Sequence, residues 1–389
     1  MSRTLLLLCA LAAFGGAQDD PEHTLPPWTP GVMEIHQIST GRGNAALFIL
    51  PDGTTMLVDA GAAPDGIAET DPHPDSSRSP GEWIARYIRR HLPAGVNRLD
   101  WVLITHFQPG HIGGLTAVGE DLAIGTLIDR GWPDYNYPAP DAAPAGYRSY
   151  VVGKHADGIA VERFLPGSGS QIHLVHRASG YPTFDIRNIA GNGEVWTGEG
   201  DSTRALFPPL DKLAPRERPT EDMCSLGIRV SYGRFRYFTG GDLPGTADPG
   251  YPAWQAMEAA VAPAVGKVDA HLVNRHGATG EETEAFLSAL QSLVLIVPSW
   301  APGHPAADTL KRILNSRLPP DSRQVFATDL RPAARLVLGE RARGLAAPPG
   351  HIVLRVAYGG ESYRVYVLDA SDEADRVLAM RGPFRAASL

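Results

Sequence analysis

The segment LDWVLITHFQPGHIGGL, from Leu99 to Leu115, decides the fold prediction. Its first part, Leu99–Ile104, is an apolar run of strand length, which predicts a buried β-strand. The run leads directly into a polar loop that contains His106 and His111, and the glycines that close the loop suit the start of a helix. A loop with histidines at the end of a buried strand is typical of metal and hydrolytic sites.

Three other segments also place an acidic or imidazole side chain directly after an apolar strand. Asp59 follows the run Thr55–Val58, Asp242 follows a predicted hairpin, and His276 follows the run Ala270–Val273. Loops at the ends of neighbouring strands meet at one edge of a sheet, so we expect these side chains to converge on one cleft.

Elsewhere the chain alternates between strand patterns and helix patterns. Short apolar runs before residue 59 predict a β-meander, and Trp83–Leu92 has the spacing of an amphipathic helix. A predicted hairpin of Ile352–Ala357 and Tyr363–Leu368 turns at Gly359-Gly360 near the end of the chain. The pattern predicts an α/β (α+β) fold with two sheets covered by helices on their outer faces.

Six motifs occur in a fixed order along the chain. They are LVDAGA at 57–62, LDWVLITHFQPGHIGGL at 99–115, SYGRFRYFTGGD at 231–242, HLVNRHG at 271–277, APGHP at 301–305 and FATDL at 326–330. In this order they resemble the metallo-β-lactamase superfamily, and are most similar to the branch with the hydrolase domain of the bacterial competence DNA-uptake protein. The resemblance implies a four-layer αββα sandwich over residues 32–370, in which residues 116–220 are a divergent or inserted segment.

The resemblance also implies a set of metal ligands. In the superfamily the loop reads His, any residue, His, any residue, Asp, His, and it binds one or two metal ions, usually zinc. His106 and His111 match the first and last histidines of this loop. Asp242 matches the aspartate that bridges the metals, and His276 matches the histidine of a His-His-Gly motif.

Three positions depart from the superfamily pattern. Gln108 stands in place of the second histidine, Gly110 in place of the loop aspartate, and Arg275 in place of the first residue of the His-His-Gly motif. A neutral amide oxygen is a weak zinc ligand, so the first metal position retains only His106 and Asp242 as good ligands.

The second metal position retains His111, Asp242 and His276, which suffice for one ion of zinc or another divalent metal. Arg275 beside the cleft either repels a cation, contacts an anionic substrate as a catalytic residue, or replaces the charge of a missing metal. The alternative interpretation is that the histidines hydrogen-bond in a cleft without metal and that Asp242 caps a turn.

Four further residues are predicted to support the metal ligands or to line the cleft, namely Asp59, Gln108, His304 and Asp329. Asp59 is predicted to brace the loop and the ligands. His304 and Asp329 match superfamily motif positions, and the alternative for both is a surface loop residue.

The first residues predict export. Leu5–Phe14 is an apolar run after Arg3, and small residues follow it, which is the pattern of a signal peptide over residues 1–17. This interpretation predicts a secreted or periplasmic protein, and it leaves open a lipoprotein anchored through Cys9. No later apolar run has the length of a transmembrane helix, and the net charge of −8 argues against nucleic acid as a partner.

Two functions follow from the sequence. The first is an exported, metal-dependent hydrolase-like protein with a reduced, single-ion site, in which Asp242 and Arg275 act on an ester, amide or phosphodiester of a small or anionic substrate. The second is a catalytically silent binding or structural protein that has lost its metals.

Overall fold

The computed structural model describes residues 24–62, 66–67, 70–138, 142–316 and 323–387. The predicted signal peptide at residues 1–17 lies outside the described residues, and so does Cys9. Within those ranges no helix is both long enough and apolar enough to cross a membrane.

Seventeen strands are present in the described residues, and they are numbered here in chain order. They are β1 Met33–Gln37, β2 Ala46–Ile49, β3 Thr55–Val58, β4 Arg98–Leu103, β5 Ala123–Asp129, β6 Ala160–Arg163, β7 Phe184–Gly191, β8 Glu194–Trp196, β9 Thr203–Ala205, β10 Gly227–Tyr232, β11 Phe235–Thr239, β12 Ala270–Leu272, β13 Val294–Val297, β14 Gln324–Ala327, β15 His351–Val356, β16 Ser362–Leu368 and β17 Val377–Arg385.

Eight α-helices accompany the strands in the same described ranges. They are α1 Pro80–His91, α2 Pro109–Ile112, α3 Leu115–Asp121, α4 Ala145–Ala156, α5 Met257–Val265, α6 Glu284–Leu290, α7 Ala307–Asn315 and α8 Pro332–Leu338. The start of α1 agrees with the sequence, since Ser79 and Glu82 form a capping box around Pro80 in the first turn.

The strands form two sheets. The first sheet has the order β17-β16-β15-β1-β2-β3-β4-β5-β6, and the second has the order β14-β13-β12-β11-β10-β7-β8-β9. In the first sheet β3 to β6 pair in parallel, whereas β10 and β11 form an antiparallel hairpin in the second. The two sheets therefore combine parallel and antiparallel pairing, as large sheets often do.

Strands that are apolar on both faces explain the layered arrangement. In β2 the side chain of Phe48 belongs to the core between the sheets, whereas Leu47 and Ile49 pack in a second cluster with α1. The same alternation occurs in β4, where Trp101 faces the core between the sheets and Val102 faces the helices. Successive strand side chains point to opposite faces, so a continuous apolar run is what a strand buried on both faces requires.

The outer faces of both sheets are covered by helices. Helices α1, α3 and α4 pack on the first sheet through a cluster that includes Ile84, Val118 and Val151. The second sheet is covered by α5 and α6 through Val261 and Phe286, and by α7 and α8 through another cluster. These layers form the predicted four-layer αββα sandwich of the metallo-β-lactamase type, and the fold prediction is confirmed.

Two parts of the sandwich contain elements that the sequence pattern did not place. Residues 116–220 contain β5 to β9 and α4, so this segment supplies edge strands to both sheets. The C-terminal hairpin is extended by β17, which pairs with β16 beyond residue 370. The apolar residues of β17 are mostly half-exposed or exposed, so this edge strand lacks the continuous apolar run of the buried strands.

Candidate metal centre

Three of the predicted ligands form a compact cluster at the ends of neighbouring strands. His106, His111 and Asp242 each offer one potential ligand atom, and these atoms all lie within 4.8 Å of one another. His106 follows β4 and Asp242 follows β11, so the packing of the two sheets brings the two loops together. All three residues are buried, with exposed fractions of 0–3%.

The carboxylate of Asp242 is the centre of this cluster. Its Oδ1 atom lies 3.4 Å from Nε2 of His111, and its Oδ2 atom lies 3.7 Å from Nε2 of His106. Nε2 of His276 is also 3.7 Å from Asp242 Oδ2, so the structure brings all four predicted ligands to one carboxylate. The backbone N–H of Asp242 donates to Oγ of Ser225 at 3.1 Å, which holds the loop in place.

Each of the three imidazoles is held by its Nδ1 atom. Nδ1 of His111 lies 2.7 Å from Oδ2 of Asp59, and Nδ1 of His276 lies 3.0 Å from the carbonyl oxygen of Pro298. Nδ1 of His106 lies 3.1 Å from Oγ1 of Thr105, whose hydroxyl donates to Asp59. These partners accept a hydrogen bond from Nδ1–H, so in the neutral rings the proton stays on Nδ1 and each Nε2 atom presents a lone pair towards Asp242.

Asp59 is surrounded by hydrogen-bond donors. Its carboxylate accepts from the backbone N–H and hydroxyl of Thr105, from Nδ2 of Asn44 at 3.0 Å, and from His111. Asp59 is fully buried, and its φ of 61° places the backbone in the left-handed region. The residue thus contacts one predicted ligand directly and another through Thr105.

Burial and mutual charge strongly affect the pKa values of the cluster. Burial lowers the pKa of His106 to about 3, and the neighbouring His111 acts in the same direction. Burial also acts to lower the pKa of His111, but the carboxylates of Asp242 and Asp59 outweigh it and raise that pKa to about 10. For Asp242 burial acts to raise the pKa, yet the surrounding imidazoles hold it well below its usual range. The carboxylate is therefore ionised and attracts positive charge.

A further carboxylate, Asp222, joins the site from the segment before β10. Its side chain is 8% exposed, and its Oδ2 atom lies 2.9 Å from Nε of Arg275. Its Oδ1 atom accepts a hydrogen bond from Nε2 of Gln108. Burial and the charge of Asp242 raise the pKa of Asp222 to about 6. Sequence reasoning missed this residue, because Asp222 lies outside the six motifs.

Two aromatic side chains from the loop after β13, Trp300 and His304, pack beside the cluster. The rings of His304 and His276 stack, with centroids 4.8 Å apart, and Trp300 lies edge-on to both. Burial and the neighbouring His276 lower the pKa of His304 to about 3. Gly110, which replaces the loop aspartate of the superfamily, lies next to Trp300. A Cβ atom on Gly110 would be 3.6 Å from the indole ring, an ordinary contact.

Asp329 lies in a different set of contacts. Its Oδ2 atom is 2.7 Å from Nε of Arg331 and 3.7 Å from Nε2 of His73. The backbone N–H of Leu330 donates to its Oδ1 atom at 2.6 Å. These contacts connect Asp329 to the segment around residue 73 and do not include the four predicted ligands.

A buried ion pair supports the loop that carries His106. The guanidinium of Arg130, which is 1% exposed, donates to both carboxylate oxygens of Glu221, and Glu221 also accepts the backbone N–H of Phe107 at 2.7 Å. The Arg130 guanidinium lies 4.3 Å from the centroid of the Phe107 ring. The pair thus connects β5, the histidine loop and the segment before β10.

We expect Arg130→Ala to lower the free energy of unfolding by about 3 kcal/mol, because it leaves the largely buried Glu221 without its cation. Urea unfolding of both proteins measures the difference. The control is Arg343→Ala, which removes a pair with Glu340 whose side chains are both about four-fifths exposed and is expected to match the wild type. Equal stability of the two variants would contradict the structural role of Arg130.

The solved structures that are similar to this chain include the following three. A mutant of the CmlA β-hydroxylase has a TM-score of 0.42 and 15% identity over 79% of this chain and 54% of that chain. A diphosphatase of the PhnP family has a TM-score of 0.34 and 10% identity, covering 68% and 85% of the two chains. A metal-dependent hydrolase of the β-lactamase superfamily has a TM-score of 0.39 and 13% identity, covering 76% and 95%.

The chain spans about half the length of the β-hydroxylase that it matches. No family model matches the sequence, and no curated protein matches it. The assignment to a metallo-β-lactamase-like fold therefore stands on the sheet order and layers of this chain.

Proposed function

We propose that the chain is a metal-dependent hydrolase that binds one divalent cation between Asp242 and the imidazoles of His106 and His111, with His276 beside them. One observation carries the proposal. The Nε2 atoms of His106 and His111 are buried, and neither has a hydrogen-bond partner among the described residues. Both nitrogens lie 3.4–3.7 Å from the Asp242 carboxylate, farther than a normal N–H···O hydrogen bond, and a cation shared with that carboxylate would satisfy all three groups.

The spacing of the ligand atoms fits a small divalent ion. Ligand nitrogens in a tetrahedral zinc site, each about 2.0–2.1 Å from the metal, lie roughly 3.3–3.4 Å apart. The distances from the three Nε2 atoms to Asp242 are 3.4–3.7 Å, close to that value. Zinc therefore fits the imidazole-rich ligand set, and another divalent metal that accepts nitrogen ligands fits it as well.

The reduced ligand set supports a single ion rather than a pair. Gly110 supplies no carboxylate, and the Nε2 atom of Gln108 is engaged by Asp222. A divalent cation supplies polarisation of a carbonyl or phosphoryl oxygen and a lower pKa for water. The protein then orients the imidazoles through Asp59 and Thr105, while Arg275, whose side chain is 41% exposed, offers a positive charge to an anionic substrate.

The substrate class in this proposal is an ester, amide or phosphodiester. The resemblance of the six motifs to the competence branch favours the phosphodiester by analogy of fold alone. The net charge of −8 supports a small anionic substrate over a long nucleic acid. The apolar run near the start of the chain supports export as part of the same proposal.

The burial of the four predicted ligands favours a second candidate function, that of a binding or structural protein without catalysis. The side chains of the four predicted ligands are only 0–6% exposed. A substrate reaches such a cluster only if neighbouring side chains move, and Arg275 is held in place by Asp222. A binding protein needs no such movement.

The two candidate functions predict different hydrolytic activities when metal is removed from the protein and then added back. We expect the purified protein to hydrolyse bis(p-nitrophenyl) phosphate or a lactone, to lose this activity with a chelator, and to regain it with zinc or manganese. Elemental mass spectrometry on the same samples measures the bound metal. One bound ion without hydrolysis of either substrate supports the binding protein, and a metal-free protein that resists loading contradicts the metal-dependent proposal.

A further inference from the structure

Two large aliphatic side chains on α8 face away from the protein. Leu336 and Val337 are 85% and 66% exposed, whereas Ala334 and Leu338 of the same helix are buried in an apolar cluster. Positions four residues apart share one face of a helix, so the buried pair marks the inner face and the exposed pair lies outside it. Exposed apolar side chains that lie next to each other often mark an interaction site.

The same segment is locally basic in an acidic chain. Residues 330–350 contain four arginines and one glutamate, whereas the whole chain has a net charge of −8. Three of these arginines, Arg335, Arg341 and Arg343, are exposed. Among the described residues, the ion pair that these three form is Arg343 with Glu340, and both side chains of that pair are about four-fifths exposed. An ion pair so exposed contributes little, so the segment retains positive charge for a partner.

A short 3₁₀ turn that ends at Gly344 follows α8 and holds two of the arginines near the exposed aliphatic pair. Ala342 of this turn and Leu314 of α7 pack against the same apolar cluster as α8. A Cβ atom on Gly344 would lie 2.6 Å from Leu314, so the turn approaches α7 closely. The turn is therefore packed on the protein, and Arg341 and Arg343, which flank Ala342, stay near the end of α8.

The composition of the segment favours a lipid surface over a protein or a nucleic acid. Residues 330–350 contain no Phe, Tyr or Trp. Protein interfaces are enriched in these side chains, and single-stranded nucleic acids stack their bases on them. A second copy of the chain would bring like charges together, which opposes association. Aliphatic side chains flanked by arginines instead match an anionic bilayer, in which negatively charged headgroups lie directly above an apolar layer.

We propose that the segment from Arg335 to Arg343 is a membrane-contact surface. Leu336 and Val337 enter the boundary between the headgroups and the acyl chains of an anionic bilayer, while Arg335, Arg341 and Arg343 bind lipid phosphates. A guanidinium presents two parallel N–H groups to a phosphate, and its aliphatic stem lies along apolar surface, so arginine suits this boundary. The contact needs no bound metal, so it is independent of the proposed hydrolase function.

Co-sedimentation with lipid vesicles tests the contact. We expect the wild type to bind vesicles of equal parts phosphatidylglycerol and phosphatidylcholine, and to bind pure phosphatidylcholine at least about tenfold more weakly, because that surface has no net negative charge. Leu336→Ser combined with Val337→Ser is expected to weaken binding to the anionic vesicles by about tenfold or more, because two apolar side chains no longer leave water. Arg335→Gln combined with Arg341→Gln is expected to weaken it similarly, and high salt is expected to weaken it in the wild type.

Matched variants outside the segment make the result specific. Val152→Ser combined with Leu165→Ser removes two other aliphatic side chains, which are 54% and 53% exposed. Arg216→Gln combined with Arg218→Gln removes the same charge from two other exposed arginines. Both controls are expected to bind anionic vesicles as the wild type does. Thermal unfolding checks that every variant is folded, and the apolar run near the start of the chain is the same in all of them.

Binding to anionic vesicles that falls in both segment variants and in neither control supports the contact. Three results overturn it: no binding of the wild type to anionic vesicles, equal binding to neutral and anionic vesicles, or the same loss in the controls as in the segment variants. Self-association in sedimentation velocity that is lost in the serine variant, without vesicle binding, would show instead that a second copy of the chain covers this surface. Metal content and hydrolysis do not enter these results, so the proposed function stands or fails separately.

Discussion

Alanine at both Asp242 and His276 is expected to remove the bound metal from the purified protein. Asp242 is the carboxylate that all three imidazoles face, so its loss removes the shared anionic ligand. His106 and His111 alone leave two ligands, fewer than the three or four that a zinc site in a protein normally has. We expect about one ion per chain in the wild type and less than about one tenth of that in the double variant.

The matched control removes an aspartate and a histidine that are exposed. Asp211→Ala combined with His155→Ala changes the same residue types outside the cluster and is expected to retain the full metal content. Elemental mass spectrometry after desalting compares the three proteins. A double variant at Asp242 and His276 that keeps one ion per chain would place the metal elsewhere and contradict the proposed ligand set.

The convergence of the four predicted ligands could be expected from the sequence, because each lies on a loop that follows an apolar strand. His106 follows β4, Asp242 follows β11, and His276 follows β12, so strand order and sheet packing determine where they meet. The pattern also predicted Asp59 as a brace, and its carboxylate lies 2.7 Å from Nδ1 of His111. At these residues the position predicted from the apolar strand pattern is the position that the fold gives them. Such consistency between local sequence and tertiary structure favours a single folded state.

Asp222 was not predictable in the same way. The sequence shows that Gln108 and Arg275 depart from the pattern, but a departure does not name the partner that compensates for it. The partner precedes β10 in a short 3₁₀ turn and meets Gln108 only through the packing of the two sheets. Gln108 and Asp222 are 114 positions apart, so their contact depends on tertiary structure and no short motif contains it.

Residues 116–220 were hard to place for a different reason. Helix α4 buries only Tyr147 and Val151, so its sequence lacks the apolar stripe that identifies an amphipathic helix. The strands β8 and β9 have three residues each and lie at the edge of the second sheet, where alternation over so few residues is a weak signal. The order of these elements in the two sheets became clear only from the structure.

Asp59→Asn is expected to weaken metal binding by roughly 10- to 100-fold, the usual effect of losing a group that orients a ligand. Each hydrogen-bond partner of Asp59 that the structure shows is a donor: the N–H and hydroxyl of Thr105, Nδ2 of Asn44 and Nδ1 of His111. The NH₂ group of an asparagine has no acceptor there, so it opposes one of these donors. The imidazole of His111 then loses the carboxylate that holds its proton on Nδ1, and Nε2 is no longer fixed as a metal ligand.

Asp129→Asn is a matched control for this substitution. Asp129 is also fully buried, and its carboxylate accepts from four donors, the N–H groups of Gly131 and Trp132 and the hydroxyls of Tyr135 and Tyr147. Both variants are expected to unfold at lower temperature, since both place an amide among donors. Only Asp59→Asn is expected to lower the zinc affinity measured against a competing chelator. Equal zinc affinity in the two variants would show that Asp59 stabilises the loop without orienting a metal ligand.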